Sequence, residues 1–584
     1  MVNPKAWRII PRPLLETVLN NHVQHHRVPQ PLILHGPRGV GKTTLILERL
    51  LGRWNSDPHI TGYVDFAESI KEYHPKYGHS YPWTSWTTCP PPQLATLKSQ
   101  LENCLESMAQ NAIKLGSISS HQIFSTLTKW HSPVTALNKI LNTESNFAAS
   151  RMPVVNHNGN KGSILNLWDR AVFRLSAGLN EQELDGFLDK RASVEEGSYY
   201  RDAMAALKLA KEVIRIQEKW RGNAIQHLNN KGGFSRSLAN SATDWPCLLL
   251  ELLSSAAEMD YFQDLLVKCQ FLQFWPKLVM NNIEILKCAV STDDTTICGS
   301  MYHDSLIWRI IALGANERCL PVLLVTSDSY YSYRAFMDFG FPDIFISRET
   351  FGWTPAEAKM HMVDDYFSQS EWTMIVEVLG PNPRHLFEVY ALKLSNYYHD
   401  INEALECREI NEKGSTFEDI VDAYLANLQV NVVNPAMDEA LLLLQKFAID
   451  ARSGKISKDR LRFGAPWRHP PKSDNLHLWA KVQLMDFVQS LVSAEFGVNY
   501  LADCSLEIFD DPSATALLEV GLLYAQRDPS FIRPISRGIQ RCLVRWLVQE
   551  QMHLSLKSSL QYRWQRFIRG RSYRHLMLEA GYDK

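Results

Sequence analysis

The 584-residue chain has almost no net charge: 61 Lys and Arg stand against 63 Asp and Glu, a formal balance of -2. Nothing global draws it to nucleic acid or to a membrane surface, so any such attraction has to be local. The ten cysteines are scattered and contain no CxxC pair, which argues against a zinc site and against a disulfide framework. That usage fits a reducing compartment. No apolar run comes near the roughly 20 residues of a membrane span, and the first residues lack a secretory apolar region. The expectation is an intracellular, cytoplasmic chain that engages no membrane, with an organelle matrix or the nucleus as alternatives. Lys5, Arg8 and Arg12 precede the first acid, Glu16, as in an organelle signal, but Pro4, Pro11 and Pro13 break that stretch.

What the chain does have is one complete motif. Residues 31–44, PLILHGPRGVGKTT, run from a short apolar stretch through Gly36, Pro37, Arg38, Gly39, Val40 and Gly41 into Lys42, Thr43 and Thr44, followed by LILERLL. This is the P-loop pattern on strand, loop and helix. The glycines let backbone N–H groups curl round a phosphate, and the new helix points its N-terminus at the anion. Lys42 is placed to reach the β- and γ-phosphates, and the Thr43 hydroxyl to bind Mg²⁺. The pattern predicts a bound nucleoside triphosphate.

Around the motif the spacing predicts a helix over 14–26 and strands over 59–66, 276–280, 321–325 and 343–347, with a helix over 305–313. Strands so apolar suit a sheet covered on both faces. Five of them, with the motif on the first, predict a doubly wound α/β sheet. Between about 68 and 265 strand patterning disappears. Two irregular loops and several helices are expected there, the best of them over 201–228, where Ala203, Ala206, Ala210 and Val213 make a stripe suited to packing inside a helical insertion. His22, His25 and His26 share one helical face, but with no carboxylate or cysteine to complete a site they read as an exposed polar face.

In order and spacing these residues resemble the archaeal-type ATPase branch of the STAND P-loop NTPases, relatives of the AAA+ proteins. The resemblance covers about residues 10–400, less the insertion, and part of the C-terminal region. GPRGVGKTT is similar to that family's P-loop, and PVLLVTSD, residues 321–328, to its sensor strand, with Thr326 and Ser327 at the tip. SRETFGWTPAEA, residues 347–358, is similar to the opening of its helical lid, and GPNPRHL, residues 380–386, to the start of a lid helix, with Pro383 and Arg384. The resemblance implies ATP with Mg²⁺ as ligand, Ser327 as a sensor of the γ-phosphate and Arg384 as a contact from the lid. It also implies an acidic pair at the end of the strand over 276–280, where this chain has Asn281 and Asn282. Amides carry no charge and accept no proton near neutral pH. Asn281 would then be a weak metal ligand. Glu284, two residues on, is either a displaced catalytic acid or, more simply, a solvated residue opening the next helix.

The remaining third reads as helical. Over 512–547 a helix, two short strands and a helix resemble the core of a winged helix, but the first helix carries Asp510, Asp511 and Glu519 and no Lys or Arg, which opposes DNA-groove binding. Ten basic residues between 533 and 574 face Glu550 alone. Their alternation with Tyr562, Trp564, Phe567 and Tyr573 suits single-stranded nucleic acid, or else the arginines meet acidic patches of the same chain. The sequence therefore divides into 1–67 and 266–350 as the two halves of a nucleotide-binding core, 68–265 as an insertion, 351–400 as a lid, 401–550 as a helical and winged-helix-like unit, and 551–584 as a basic tail. The expected function is that of a regulatory ATP-binding protein with weak or absent hydrolysis, gating a protein partner through the insertion or the C-terminal unit. An active ATPase that remodels a substrate and a nucleotide-stabilised scaffold are the alternatives.

Overall fold

The computed structural model describes residues 7–25, 27–56, 59–71, 82–86, 89–143, 161–179, 194–230, 244–266, 274–291, 298–317, 319–332, 335, 344–406, 416–456, 476–492, 497–499, 511–528, 530–554, 559–560 and 562–564. Five strands make one all-parallel sheet: β1 (Leu32–His35), β2 (His59–Asp65), β3 (Trp275–Asn281), β4 (Val322–Thr326) and β5 (Ile346–Glu349), in spatial order β2-β3-β4-β1-β5. Successive side chains divide between the faces, as the strand period of two requires. Leu32, Leu34, Val279, Leu323 and Val325 pack on one side with Leu19, Val23, Leu45 and Leu50. Those partners come from α1 (Pro13–Gln24) and from α2 (Lys42–Leu45), which continues through a π-helical turn, Ile46–Leu50, into Leu51–Trp54. Ile33, Leu278, Met280, Val322 and Leu324 face the other way into a larger core. Helices on both faces of a parallel sheet give the expected α/β architecture.

The fifth strand lies later than the apolar run that predicts it. It pairs Ile346–Glu349 with Leu32–His35, so an edge strand takes in Arg348 and Glu349 that hydrophobicity alone would have left out. The chain leaves β1 towards β2 on one side and leaves β4 towards β5 on the other. Such a reversal opens a crevice at the carboxyl ends of the two neighbouring strands.

Between β2 and β3 the chain is helical, as expected. α3 (Leu94–Lys114) buries Leu94, Leu97, Leu101, Leu105 and Met108 against the sheet and against α8 (Trp245–Leu266). Around them pack α4 (Ser120–Trp130), α5 (Val134–Thr143), α6 (Lys161–Ala177) and α7 (Val194–Asn230). α4 starts at a reciprocal capping box between Ser119 and Gln122. The alanine stripe of α7 is buried where that helix crosses α4 and α6, and its 37 residues run past both ends of the predicted helix. Gly299–Glu317 forms α9, likewise longer than the predicted 305–313. The irregular segment expected over 152–163 lies almost wholly outside the described residues.

After β5 come α10 (Pro355–Met362), α11 (Gln369–Val378) and α12 (Pro383–Glu406). Capping boxes at Thr354 and Ser368 start the first two, and Gly380, with φ +74°, ends the second. The C-terminal unit shares one core with these helices. It contains α13 (Phe417–Leu428), α14 (Asn434–Arg452), α15 (Leu476–Val492), α16 (Pro512–Glu519) and α17 (Arg537–His553), with an antiparallel sheet of β6 (Val498–Asn499), β7 (Leu523–Ala525) and β8 (Phe531–Pro534) in order β6-β8-β7. Among the described residues no helix is long and apolar enough to cross a membrane.

Candidate functional site

The crevice beyond β1 and β4 holds a cavity of about 370 Å³. Residues 38–45 form one wall, continuous with the turn between β1 and α2. Gly39 and Gly41 adopt φ of +81° and +84°, the left-handed conformation that the turn needs. Gly39 also has the start of α12 against it, because a Cβ there would stand 2.9 Å from Asn382 Oδ1 and 3.1 Å from Arg384 Cβ. Gly36 and Pro37 lie beneath the turn and present their carbonyls to the Lys42 ammonium at 2.7 and 3.0 Å. Lys42 is only 6% exposed. Burial pushes its pKa down from 10.5 to about 7, with Glu284 opposing the shift and Arg38 and Arg12 adding to it.

Thr43 donates its hydroxyl to Asn281 Oδ1 at 3.3 Å, and Asn281 Nδ2 donates to the Tyr63 hydroxyl at 3.2 Å. The sequence's two metal candidates are thus side by side, although Asn281 is buried behind Thr43 and only Thr43 lines the cavity. Asn282 does line it, in a left-handed conformation with φ 56°. Its Nδ2 donates to Asp65 Oδ1 at 2.8 Å. A carboxylate only accepts hydrogen bonds, which fixes the orientation of that amide. Asp65 pairs in register with Asn281, so the sheet returns a carboxylate to the place where β3 has amides. Sequence reading missed it because the two residues meet only through strand pairing.

Ser327 lines the cavity at the tip of β4. Its backbone N–H donates to Glu284 Oε1 at 3.3 Å, and the Thr326 hydroxyl donates to Glu284 Oε2 at 2.8 Å. Glu284 does open the next helix, a single turn over Ile285–Cys288, but it is not the solvated residue favoured from sequence. It is 6% exposed and carries an ion pair with Arg38 at 3.7 Å. Its carboxylate is held by those two donors at the tip of β4 rather than lying in solvent. Burial lowers the pKa of Arg38, with Glu284 opposing that shift. The Arg38 guanidinium also lies 5.2 Å from the Trp86 ring and donates to the Pro82 carbonyl at 3.3 Å.

Arg384 lines the cavity from the first turn of α12. Its backbone N–H donates to the Gly39 carbonyl at 3.2 Å, while its side chain donates to Glu388 at 2.7 Å and lies 4.4 Å from the Trp83 ring. Trp7, Ile10, Trp353 and Phe387 supply the apolar part of the lining, and Trp7 packs on Phe387 and Tyr390. Arg12 joins them, donating to the Thr350 hydroxyl at 2.7 Å while its Nη2 is buried without a hydrogen-bond partner. Arg8 binds the Tyr366 hydroxyl through its backbone N–H and faces Asp365 at 3.8 Å. Two of the three cations with the look of an organelle signal are thus built into the fold, and Lys5 lies outside the described residues. Sequence patterning gave no sign of these N-terminal contacts, since the stretch before α1 has no periodicity.

One other sequence reading changes, and one open reading gains contacts. His22 is buried against β4, with its pKa pushed down to about 4 by burial, rather than lying on an exposed polar face. Four of the ten basic residues over 533–574 have partners within the chain itself, one of the two readings that the sequence leaves open. Arg533 lies over Phe351 at 5.2 Å, Arg537 and Arg541 donate to the carbonyls of Val376 and Glu377, and Arg545 faces Asp422 at 3.7 Å. Lys557 and the basic residues from Arg566 onward lie outside the described residues. Compared with protein-family models and with curated proteins, the chain matches none.

Proposed function

We propose that the chain binds ATP or ADP with Mg²⁺ in the 370 Å³ cavity, and that occupancy sets how the lid and the C-terminal unit sit against the core. The carrying observation is Lys42, buried at the base of a glycine turn and held on two loop carbonyls that a phosphate would displace. The turn's N–H groups and the start of α2 favour the phosphates, and Thr43 and Asn281 are the metal side. Trp7, Ile10 and Phe387 offer an apolar surface to a base, with Arg12 Nη2 beside it. Adenine itself comes from the resemblance.

The lid touches the glycine turn directly through Gly39 and Arg384, and shares its core with the C-terminal unit. A ligand that moves the turn therefore acts on both. The reading is of a STAND-type regulatory protein that gates a protein partner through the insertion or the C-terminal unit. The helix, strand pair and helix of α16, β7, β8 and α17 support a winged-helix-like description of that unit. Hydrolysis is expected to be slow, since neither Asn281 nor Asn282 supplies charge. The test is to identify nucleotide released from the purified protein and to titrate MgATP into wild type and Lys42→Ala. Equal affinity in a folded Lys42→Ala variant would sink the proposal.

A further inference from the structure

Trp83 lies where the glycine turn meets α12. It is buried, and its ring edge lies over Gly39, where an added Cβ would stand 3.1 Å from Trp83 Cη2. Its indole N–H donates to Glu388 Oε2 at 3.1 Å, and its ring stacks on His385 with centroids 4.4 Å apart. The Arg384 guanidinium lies 4.4 Å from the same ring, and Arg384 Nε donates to the other Glu388 oxygen at 2.7 Å.

The stretch that carries Trp83 is itself fixed at several points. The Pro82 carbonyl accepts from Arg38 Nη1 at 3.3 Å, and Trp86 lies 5.2 Å from that guanidinium. The Ser85 N–H donates to the Val520 carbonyl at 2.8 Å, in the turn after α16. Gly521, with φ +79°, makes room for that approach, since a Cβ there would stand 2.7 Å from the Ser85 nitrogen.

We propose that Trp83 is a positioning residue for the nucleotide site, holding the Arg384 guanidinium so that its two Nη groups meet the phosphates. The inference rests on the nucleotide-binding reading above. Stacking on the indole sets the plane of the guanidinium, and the bond from Nε to Glu388 sets its rotation within that plane. Among the described residues neither Nη1 nor Nη2 of Arg384 has a hydrogen-bond partner. Arg384 lines the cavity with Arg38 and Lys42, a set of cations suited to an anion. Trp83 is not among the lining residues, so it acts through Arg384. A long arginine side chain loses rotamer freedom when it binds, and ordering it beforehand removes that cost. Because Ser85 is bonded to Val520, the seating of the C-terminal unit bears on Arg384 through this stretch.

The experiment is to titrate MgATP into wild type, Arg384→Ala, Trp83→Leu and the double variant, with folding checked by circular dichroism, and to add Trp83→Phe and Arg384→Lys. Trp83→Leu should bind about tenfold more weakly than wild type. The double variant should bind no more than about threefold more weakly than Arg384→Ala, since both changes remove one interaction. Trp83→Phe keeps a ring face and should recover most of the loss. Arg384→Lys leaves Trp83 in place and so tests the stack even where Trp83→Leu fails to fold. An ammonium has no plane to lay on the ring, and affinity should fall towards that of Arg384→Ala. Losses that multiply in the double variant, wild-type affinity in Trp83→Leu or Arg384→Lys, or no recovery in Trp83→Phe would each overturn the assignment of Trp83 alone. Failure of wild type to bind MgATP would instead overturn the nucleotide-binding reading, and this one with it.

Discussion

His35 and Tyr524 stand 489 positions apart in sequence, yet the ring Nδ1 of one and the hydroxyl of the other meet at 2.7 Å in a buried pocket. Ser332 Oγ approaches the same phenol at 3.1 Å, and Ser347 Oγ takes the other ring nitrogen at 2.6 Å. The residue just before Gly36 is therefore bonded to β7 of the C-terminal unit. Tyr524→Phe leaves buried polar atoms without their partner, at a cost of about 1–3 kcal/mol. Chemical unfolding should show that loss, and MgATP should protect the C-terminal unit from protease less well than in wild type. An unchanged unfolding midpoint together with an unchanged digestion pattern would mean that the contact carries neither stability nor coupling.

Among the described residues, four of the buried histidines are held as neutral rings. Burial pushes the pKa of His35 and His385 down to about 3 and of His22 and His303 down to about 4, from an ordinary 6.5. Below pH 6.5 the unfolded chain takes up protons that the folded chain refuses, so the stability these rings contribute is complete above 6.5 and is lost as pH falls towards 3 to 4. Each ring steepens the loss by about 1.4 kcal/mol per pH unit in that window. Denaturant midpoints measured from pH 7 to pH 5 should fall steadily. A flat profile would show that the rings titrate as they do in solvent.

Lys42 gives the opposite kind of signal. Its empty-site pKa of about 7 lies below the ordinary 10.5, and a phosphate beside it favours the charged form. Binding of MgATP at pH 8 should therefore take up protons, and affinity should fall as pH rises from 7 towards 10. In the empty chain the unfolded state holds the extra proton across that same window, so stability rises with pH there. Calorimetric titrations in buffers of different ionisation enthalpy measure the uptake. Zero uptake at pH 8, or proton release, would contradict the placement of this ammonium at the phosphate.

Asn281 faces the Thr43 hydroxyl at 3.3 Å, where a carboxylate would add charge to a metal site. Asn281→Asp should tighten Mg²⁺ dependence and raise turnover at least about tenfold, starting from a wild-type rate well under about 1 s⁻¹. Fast wild-type turnover, or a variant no faster than wild type, would show that this position is not limiting.

The sheet was legible because its signal is local. Leu32–His35 and Val322–Thr326 are apolar runs beside turn residues, and the glycine turn with Lys42 needs only adjacent positions to be recognised. The rest depends on contacts that no window spans. Asp65 reaches Asn282 through strand pairing 217 residues apart, and Glu284 is anchored by Thr326, 42 residues on. Arg12 gains its role only where the N-terminal stretch crosses the cavity. Arg541 and Arg545 look like a free basic face until Glu377 and Asp422 of other helices come into view.

The cavity's walls belong to two different hydrophobic cores. Leu45 is buried with α1 and the sheet, whereas Ile10 and Trp353 are buried with α10 to α12 and the C-terminal unit. A molecule seated between them acts as a rivet. Without it each core is able to melt on its own schedule, and the calorimetric trace broadens or splits. With it, neither half is able to let go before the other without also releasing the ligand, so the two heat-absorption peaks draw together as its concentration rises. The spacing of those peaks then becomes a gauge of occupancy that needs no knowledge of the partner or of turnover.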